Sequence, residues 1–257
     1  MNGQMYQICC ITAAVKKALK EKSVLSYTPL KYENRVEFQF LPEKKLFSTK
    51  KYKAEDASAW YKYCLKKGLR DIKFLAPVAV QDRNLLGFSN TTQSSIVCFY
   101  RGSKVTYFTA NWEFDSAQKA WNILYTEQEW NKAPKGKPHF ENNSDSFKSV
   151  LTEIKEFAQR IDCDSFAEVF QKALDILLGS TDYTDIKYNR PLPGIPKQNL
   201  HLFEAASTAD VFGAMGSWND SPPYMAYKKG MDKEYDSLSA ELLKQVRLAM
   251  LYAINEW

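Results

Sequence analysis

The chain has 257 residues, of which 45% are hydrophobic and 14% aromatic, enough for one large or two modest packed domains and too apolar for a largely disordered protein. The net charge of +5 is unevenly spread: residues 1–140 carry 23 Lys/Arg against 12 Asp/Glu, a balance of +11, and residues 141–257 carry 12 against 18, a balance of −6. Five cysteines (Cys9, Cys10, Cys64, Cys98, Cys163) form an odd set without a CxxC pair, which argues against a disulfide framework and for free thiols in a reducing cytoplasm.

Ile8, Ile11, Val15 and Leu19 repeat at helical spacing, predicting an amphipathic helix over residues 5–22. Its apolar run is short and is followed, not preceded, by Lys16-Lys17, the wrong order for a secretory signal. No apolar run approaches the roughly 20 residues that span a bilayer, so no membrane partner is expected. After Pro29, residues 35–41 alternate with Val36, Phe38 and Phe40 on one side, a half-buried strand. A second helix is expected over 54–67, where Ala57, Trp60, Tyr61, Cys64 and Leu65 share a face and Gly68 ends it. Strands are expected over 72–80, 95–100 and 104–112, the last two joined by a hairpin at Arg101-Gly-Ser-Lys104. Asp115 is expected to cap a helix through 129, with Ala117, Ala120, Trp121, Leu124 and Tyr125 on one face.

Residues 131–146 combine two prolines, a glycine and polar residues without apolar period, and mark a domain boundary. Beyond them, helices are expected over 147–158 and 166–177, the latter with capping-box spacing Ser165-x-x-Glu168 and Gly179 as its stop. A proline-rich loop at 190–196, a short helix at 198–206 and a long helix at 231–257 follow, the last with Leu238, Leu242, Val246, Met250, Ala253 and Trp257 as its core stripe. The expected class is α+β. A basic domain, 1–135, has an antiparallel sheet with helices on one face, and an acidic, mainly helical domain spans 145–257.

Chemical signatures are sparse. His139 and His201 sit in no ligand pattern and read as surface or hydrogen-bonded groups, so no metal site is expected. Cys98 lies in an apolar strand with no base evident beside it. Gly213-x-x-Gly216 lacks the spacing of a dinucleotide or phosphate loop, and no cofactor is expected. Spacing does not separate carboxylate pairs such as Asp182 with Asp185, or Asp232 with Glu234, from solvated faces. The run from Lys44 to Lys73 holds ten Lys/Arg against three acids, interleaved with Phe47, Tyr52, Trp60, Tyr61 and Tyr63. Such a run can bind nucleic acid, but Trp60, Tyr61 and Cys64 fall on the face a sheet would bury, which leaves the lysines as an ordinary solvated surface.

The most specialised stretch is Val211-Phe-Gly-Ala-Met-Gly-Ser-Trp-Asn-Asp220, followed by Ser221-Pro-Pro-Tyr224. Two glycines permit a compact turn, Trp218 supplies a large anchor, and Asn219 and Asp220 supply directed polar groups. It reads either as an ordered loop packed on the last helix or as a recognition loop presenting Trp218, Asn219, Asp220 and Tyr224 to a partner. This string, with Glu234-Tyr235 and Leu238-Ser239-x-Glu241-Leu242 on the helix after it, resembles the C-terminal part of small bacterial proteins, some similar to immunity proteins of polymorphic or contact-dependent toxin systems. The resemblance covers about the last fifth of the chain and brings no catalytic residue. It implies a cytoplasmic protein that binds and neutralises a toxin domain without catalysis. The competing expectations are an enzyme with a site between the halves, using Asp210 or Asp220 beside Trp218, and nucleic-acid binding through residues 44–73. The charge segregation also has an intramolecular reading, in which the two halves dock on each other.

Overall fold

A computed structural model describes residues 1–45, 48–50, 52–80, 82–131, 133–134, 136–180, 192 and 194–257. Phe47, Lys51, the pair Asp182/Asp185, and Arg190, Pro191 and Pro193 of the proline-rich stretch lie outside the described residues. The fold is α+β, with the sheet in the N-terminal half and most helices in the C-terminal half. Contacts divide the chain into two compact units: Gln7–Leu75 with Gln93–Pro138, and Met1–Tyr6 with Ala76–Thr92 and His139–Trp257. From the sequence, the first carries 22 Lys/Arg against 11 Asp/Glu and the second 13 against 19, so the +11 and −6 balances of the two halves belong to these units too.

The first unit holds most of α1 (Gly3–Glu21), then β1 (Glu33–Gln39), β2 (Glu43–Lys45), β3 (Ser48–Lys50), β4 (Lys53–Ala54), α2 (Ala57–Lys66), β5 (Leu69–Leu75), β6 (Ser95–Tyr100), β7 (Val105–Asp115) and β8 (Ala120–Glu129). Six strands form one sheet in the order β4-β1-β8-β7-β6-β5, and β2 with β3 pair antiparallel as a separate two-stranded sheet. The sheet is mixed, not purely antiparallel, because β1 and β8 run parallel with Phe38 opposite Tyr125. A long connection links these two strands, so no tight turn fixes their relative direction.

β8 corrects the helix expected over 115–129. The Asp115 carboxylate does accept hydrogen bonds from the backbone N–H groups of Ala117 and Gln118, at 3.0 and 3.1 Å, but it closes a turn. The chain then pairs with β7 on one side and β1 on the other, with Ile123, Tyr125 and Glu127 turned into the core. The alanines and Leu124 fit a helical period by coincidence, and two-sided strand pairing of a Trp, Ile, Tyr, Thr run overrides it.

One sheet face is aromatic. Phe38 stacks between Trp60 of α2 and Tyr125, with ring centroids 4.5 and 4.8 Å away, and Phe108 meets both Phe38 and Trp60 edge-on. Tyr125 also donates to Gln7 Oε1 of α1 at 2.9 Å, so both helices pack on this face, as the alternation of β1 requires. Leu65, expected on the buried face of α2, is exposed; Ala57, Trp60, Tyr61 and Cys64 are the buried set. Glu127 is fully buried and satisfied: Thr106 Oγ1 and the Leu41 N–H donate to it at 2.8 and 2.9 Å, and Lys67 Nζ stands 3.5 Å away.

The second unit is a helical bundle of α3 (Ser144–Arg160), α4 (Asp164–Leu177), α5 (Lys197–Ala209), α6 (Pro222–Lys228) and α7 (Asp232–Asn255), with a short 3-10 turn at Arg83–Gly87. α3 packs on α4 and α7, α5 packs on α4 and α7, and α6 packs on α7. α4 begins one residue before the expected capping box, and its N-cap residue Cys163 makes no side-chain cap hydrogen bond. Gly179, at φ +72°, ends that helix in the left-handed conformation that favours glycine. α6 lay outside the expected elements, although prolines in its first turn are a helix-start signal. The stripe on α7 widens along the helix: Leu238 is half-buried near its start, whereas residues 249–251 and 253–255 are all buried.

Candidate functional site

The loop joining α5 to α6 is built around Trp218, which is fully buried in the bundle. Phe166, Phe170 and Phe157 meet its ring edge-on, with centroids 5.1, 5.3 and 6.5 Å away, and Tyr235 of α7 lies at 5.6 Å. Its indole N–H donates to Ser239 Oγ at 2.8 Å, and Tyr235 donates its hydroxyl to the Trp218 carbonyl at 2.7 Å. A buried indole needs such a partner, and the Tyr235 and Ser239 that supply these bonds sit one helical turn apart on α7.

The residues around Trp218 shape the turn. The Gly216 N–H donates to Asp220 Oδ2 at 2.7 Å, with Gly216 at φ +77°, and the Trp218 N–H closes back on the Val211 carbonyl at 3.0 Å. Asn219 Nδ2 donates to the Arg83 carbonyl at 2.9 Å, tying the loop to the 3-10 turn. There Gly87 lies so close that a Cβ on it would stand 2.4 Å from Ala214 N. Of the four residues expected to form a recognition loop, Trp218 thus points inward, Asn219 is half-buried in a loop-to-turn bond, and Asp220 and Tyr224 face outward.

On its outer side this assembly carries exposed apolar groups: Leu85 and Phe88 at the 3-10 turn, Met215 at the loop tip (94% exposed), and Tyr224 and Tyr227 (71% exposed) on α6. Tyr224 and Tyr227 are three residues apart and share one face of α6. Exposed carboxylates accompany them: Asp82, Asp220, and Asp236, which pairs with Arg83 at 2.9 Å.

On its inner side the loop roofs a cavity of about 580 Å³. Leu86, Phe166, Val169, Ile176 and Phe212 give it apolar walls, and residues 213–217 contribute the rim. Its polar groups include Glu204 of α5, Asp210, Lys172 and the Met1 amino group, which donates to the Ser207 and Asp210 carbonyls at 2.9 and 3.1 Å. Glu204 is buried, and its Oε1 has no hydrogen-bond partner among the described residues. Desolvation drives its carboxyl up to about 7, with the Met1 amino group pulling the other way. Asp210 shares this cavity; Asp220 does not line it.

Cys98 is fully buried, and burial holds its thiol well above the usual range, so it stays protonated. Tyr100 donates to Cys64 Sγ at 3.5 Å and is raised by burial as well. His139 Nδ1 lies 2.9 Å from Glu256 Oε2, and burial lowers the pKa of His201. Among the described residues, no group of three or more His, Cys, Asp or Glu side chains is placed to hold a metal ion, and no helix is long and apolar enough to cross a membrane. In the basic run, Trp60 and Tyr61 are buried and Tyr63 stacks on Tyr52 at 4.1 Å. Glu204 carried no signal in the sequence beyond a carboxylate within an otherwise apolar stretch, Leu202-Phe-Glu-Ala-Ala206. A scan of protein-family models, a search of curated proteins and a search of solved structures each return no match to this chain.

Proposed function

We propose that this chain is a cytoplasmic binding protein of immunity type, which neutralises a basic toxin domain by direct contact and without chemistry of its own. The observation that carries the reading is the outer face of the 211–228 region. Met215, Tyr224 and Tyr227 stand in solvent there, beside Leu85 and Phe88, in the unit whose balance is −6. Aromatic and methionine side chains left in water next to rigid backbone are what protein interfaces bury at their centres. Lys228 stands 4.6 Å over the Tyr224 ring, so the acidic charge that steers a basic partner is that of the unit as a whole. The resemblance of the loop and of α7 to small bacterial proteins, some of them similar to immunity proteins, points the same way, and five free cysteines, all buried, suit a reducing compartment.

The test uses affinity capture from the native bacterium followed by co-expression of the captured protein with this chain. A stoichiometric toxin-like partner, relief of its toxicity by the wild type, and loss of relief in folded Tyr224→Ala/Tyr227→Ala support the reading. A folded wild type that recovers no protein, or that recovers one without protecting against it, overturns it.

A further inference from the structure

The cavity beneath the loop is a feature the protein-binding reading does not use. Its volume of about 580 Å³ lies within the range of small-molecule sites, and its lining combines apolar walls with charged and polar groups. The chemistry is set by Glu204. This side chain is 4% exposed, lines the cavity, and leaves Oε1 without a hydrogen-bond partner among the described residues. A buried acceptor without a donor is costly, and a packed helical bundle has every opportunity to fill that position with an apolar side chain. An unpaired carboxylate oxygen at the wall of an apolar cavity is complementary to a group that brings both a donor and a positive charge. The Met1 amino group, whose charge acts on this carboxyl, donates to the carbonyls of Ser207 and Asp210, and Oε1 is still left without a hydrogen-bond partner among the described residues.

We propose that this cavity binds a small organic amine, whose ammonium donates to Glu204 Oε1 while its apolar body rests against Leu86, Phe166, Val169, Ile176 and Phe212. A primary amine on an aromatic or alkyl body satisfies both halves of the lining at once. An alcohol of the same shape satisfies the walls and supplies a donor without the charge, and a carboxylate brings no donor to Oε1 and sets a second anion beside it. The cavity shares Met215 at its rim with the outer face, but Glu204 inside it and Tyr224 and Tyr227 on α6 are separate groups, so either proposal can fail without the other.

The experiment titrates the full-length chain with phenethylamine and with phenethyl alcohol, followed by calorimetry or ligand-observed NMR. Phenethylamine is expected to bind saturably and at least about tenfold more tightly than the alcohol, the advantage of a charge-assisted over a neutral hydrogen bond. Glu204→Gln, which keeps the side-chain size, is expected to erase that preference, and Val169→Trp, which fills the cavity from α4, to weaken both probes. No saturable amine binding by the folded wild type overturns the proposal. So does equal affinity for the two probes, or a preference that persists in folded Glu204→Gln. The wild-type comparison decides the matter even where a variant fails to fold.

Discussion

Replacing Trp218 with alanine is expected to unfold or nearly unfold the helical unit, because the indole is its most enclosed large side chain in the 211–220 loop and touches three other elements. Loss of a buried Trp to Ala ordinarily costs about 3–5 kcal/mol, a large share of the stability of a typical domain. Four aromatic rings, of Phe157, Phe166, Phe170 and Tyr235, lie within 6.5 Å of its centroid, which puts this site toward the upper end. The polar part separates cleanly. Ser239→Ala removes the acceptor 2.8 Å from the indole nitrogen and strands a buried N–H, a loss of about 1–3 kcal/mol. Trp218→Phe/Ser239→Ala removes donor and acceptor together, and is expected to be less destabilised than the sum of the two single changes by about 1 kcal/mol. Urea unfolding followed by far-ultraviolet circular dichroism gives the four values needed, for Trp218→Ala, Trp218→Phe, Ser239→Ala and the double change. A Trp218→Ala cost below about 1 kcal/mol, or a strictly additive cycle, would refute the packing described here. The result also bears on function: loss of partner binding in Trp218→Ala reports unfolding, whereas loss in Tyr224→Ala/Tyr227→Ala, whose rings are exposed, reports the surface.

Two further outcomes follow from the same unit. Glu204 is raised from 4.5 to about 7 in the fold, so between those values the native state holds the proton more tightly than the unfolded chain. Its contribution to stability is therefore neutral below about pH 4.5 and becomes progressively more unfavourable as pH rises through 7, reaching about 3 kcal/mol. Glu204→Gln is expected to lose that pH dependence, visible as a smaller drop in urea midpoint between pH 5 and pH 8 than in the wild type; parallel profiles for the two proteins would contradict it. Gly87→Ala places a methyl 2.4 Å from Ala214 N and is expected to cost about 1–3 kcal/mol and to speed amide exchange across residues 213–218. A neutral substitution with unchanged exchange would mean that the 3-10 turn and the loop do not meet as described.

How much of this was legible in the sequence depends on the range of the forces that decide each feature. Strand β6 and the helices α1, α2, α3, α4, α5 and α7 announce themselves through apolar runs or periods carried in their own residues, although residues 5–15 of α1 and 96–100 of β6 are buried throughout and not on one face alone. β8 does not, because Ala117, Ala120, Trp121, Leu124 and Tyr125 satisfy a helical period while the pairing to β1 and β7 is supplied by residues about 85 and 15 positions away. Short-range period has no means of weighing that contribution. The parallel β1–β8 pair is hidden for the same reason.

The site divides along similar lines. The unusual composition of residues 211–220 was visible, and the glycines do what their chemistry allows: Gly216 takes a left-handed φ of +77° within the turn. The direction of Trp218 was not visible, since an aromatic anchor flanked by Asn and Asp fits a surface loop and an inward plug equally well, and the choice is made by Phe166 and Phe170 on α4 and by Tyr235 and Ser239 on α7. Inward insertion has a consequence for the outer face. With Trp218 held from several sides, the backbone that carries Met215 is tethered at Val211, Arg83 and Asp220, so the residues it exposes are presented by an ordered frame. Preorganisation of that kind lowers the ordering cost of association and makes the exposed apolar groups, not the buried tryptophan, the place where a partner would gain its affinity.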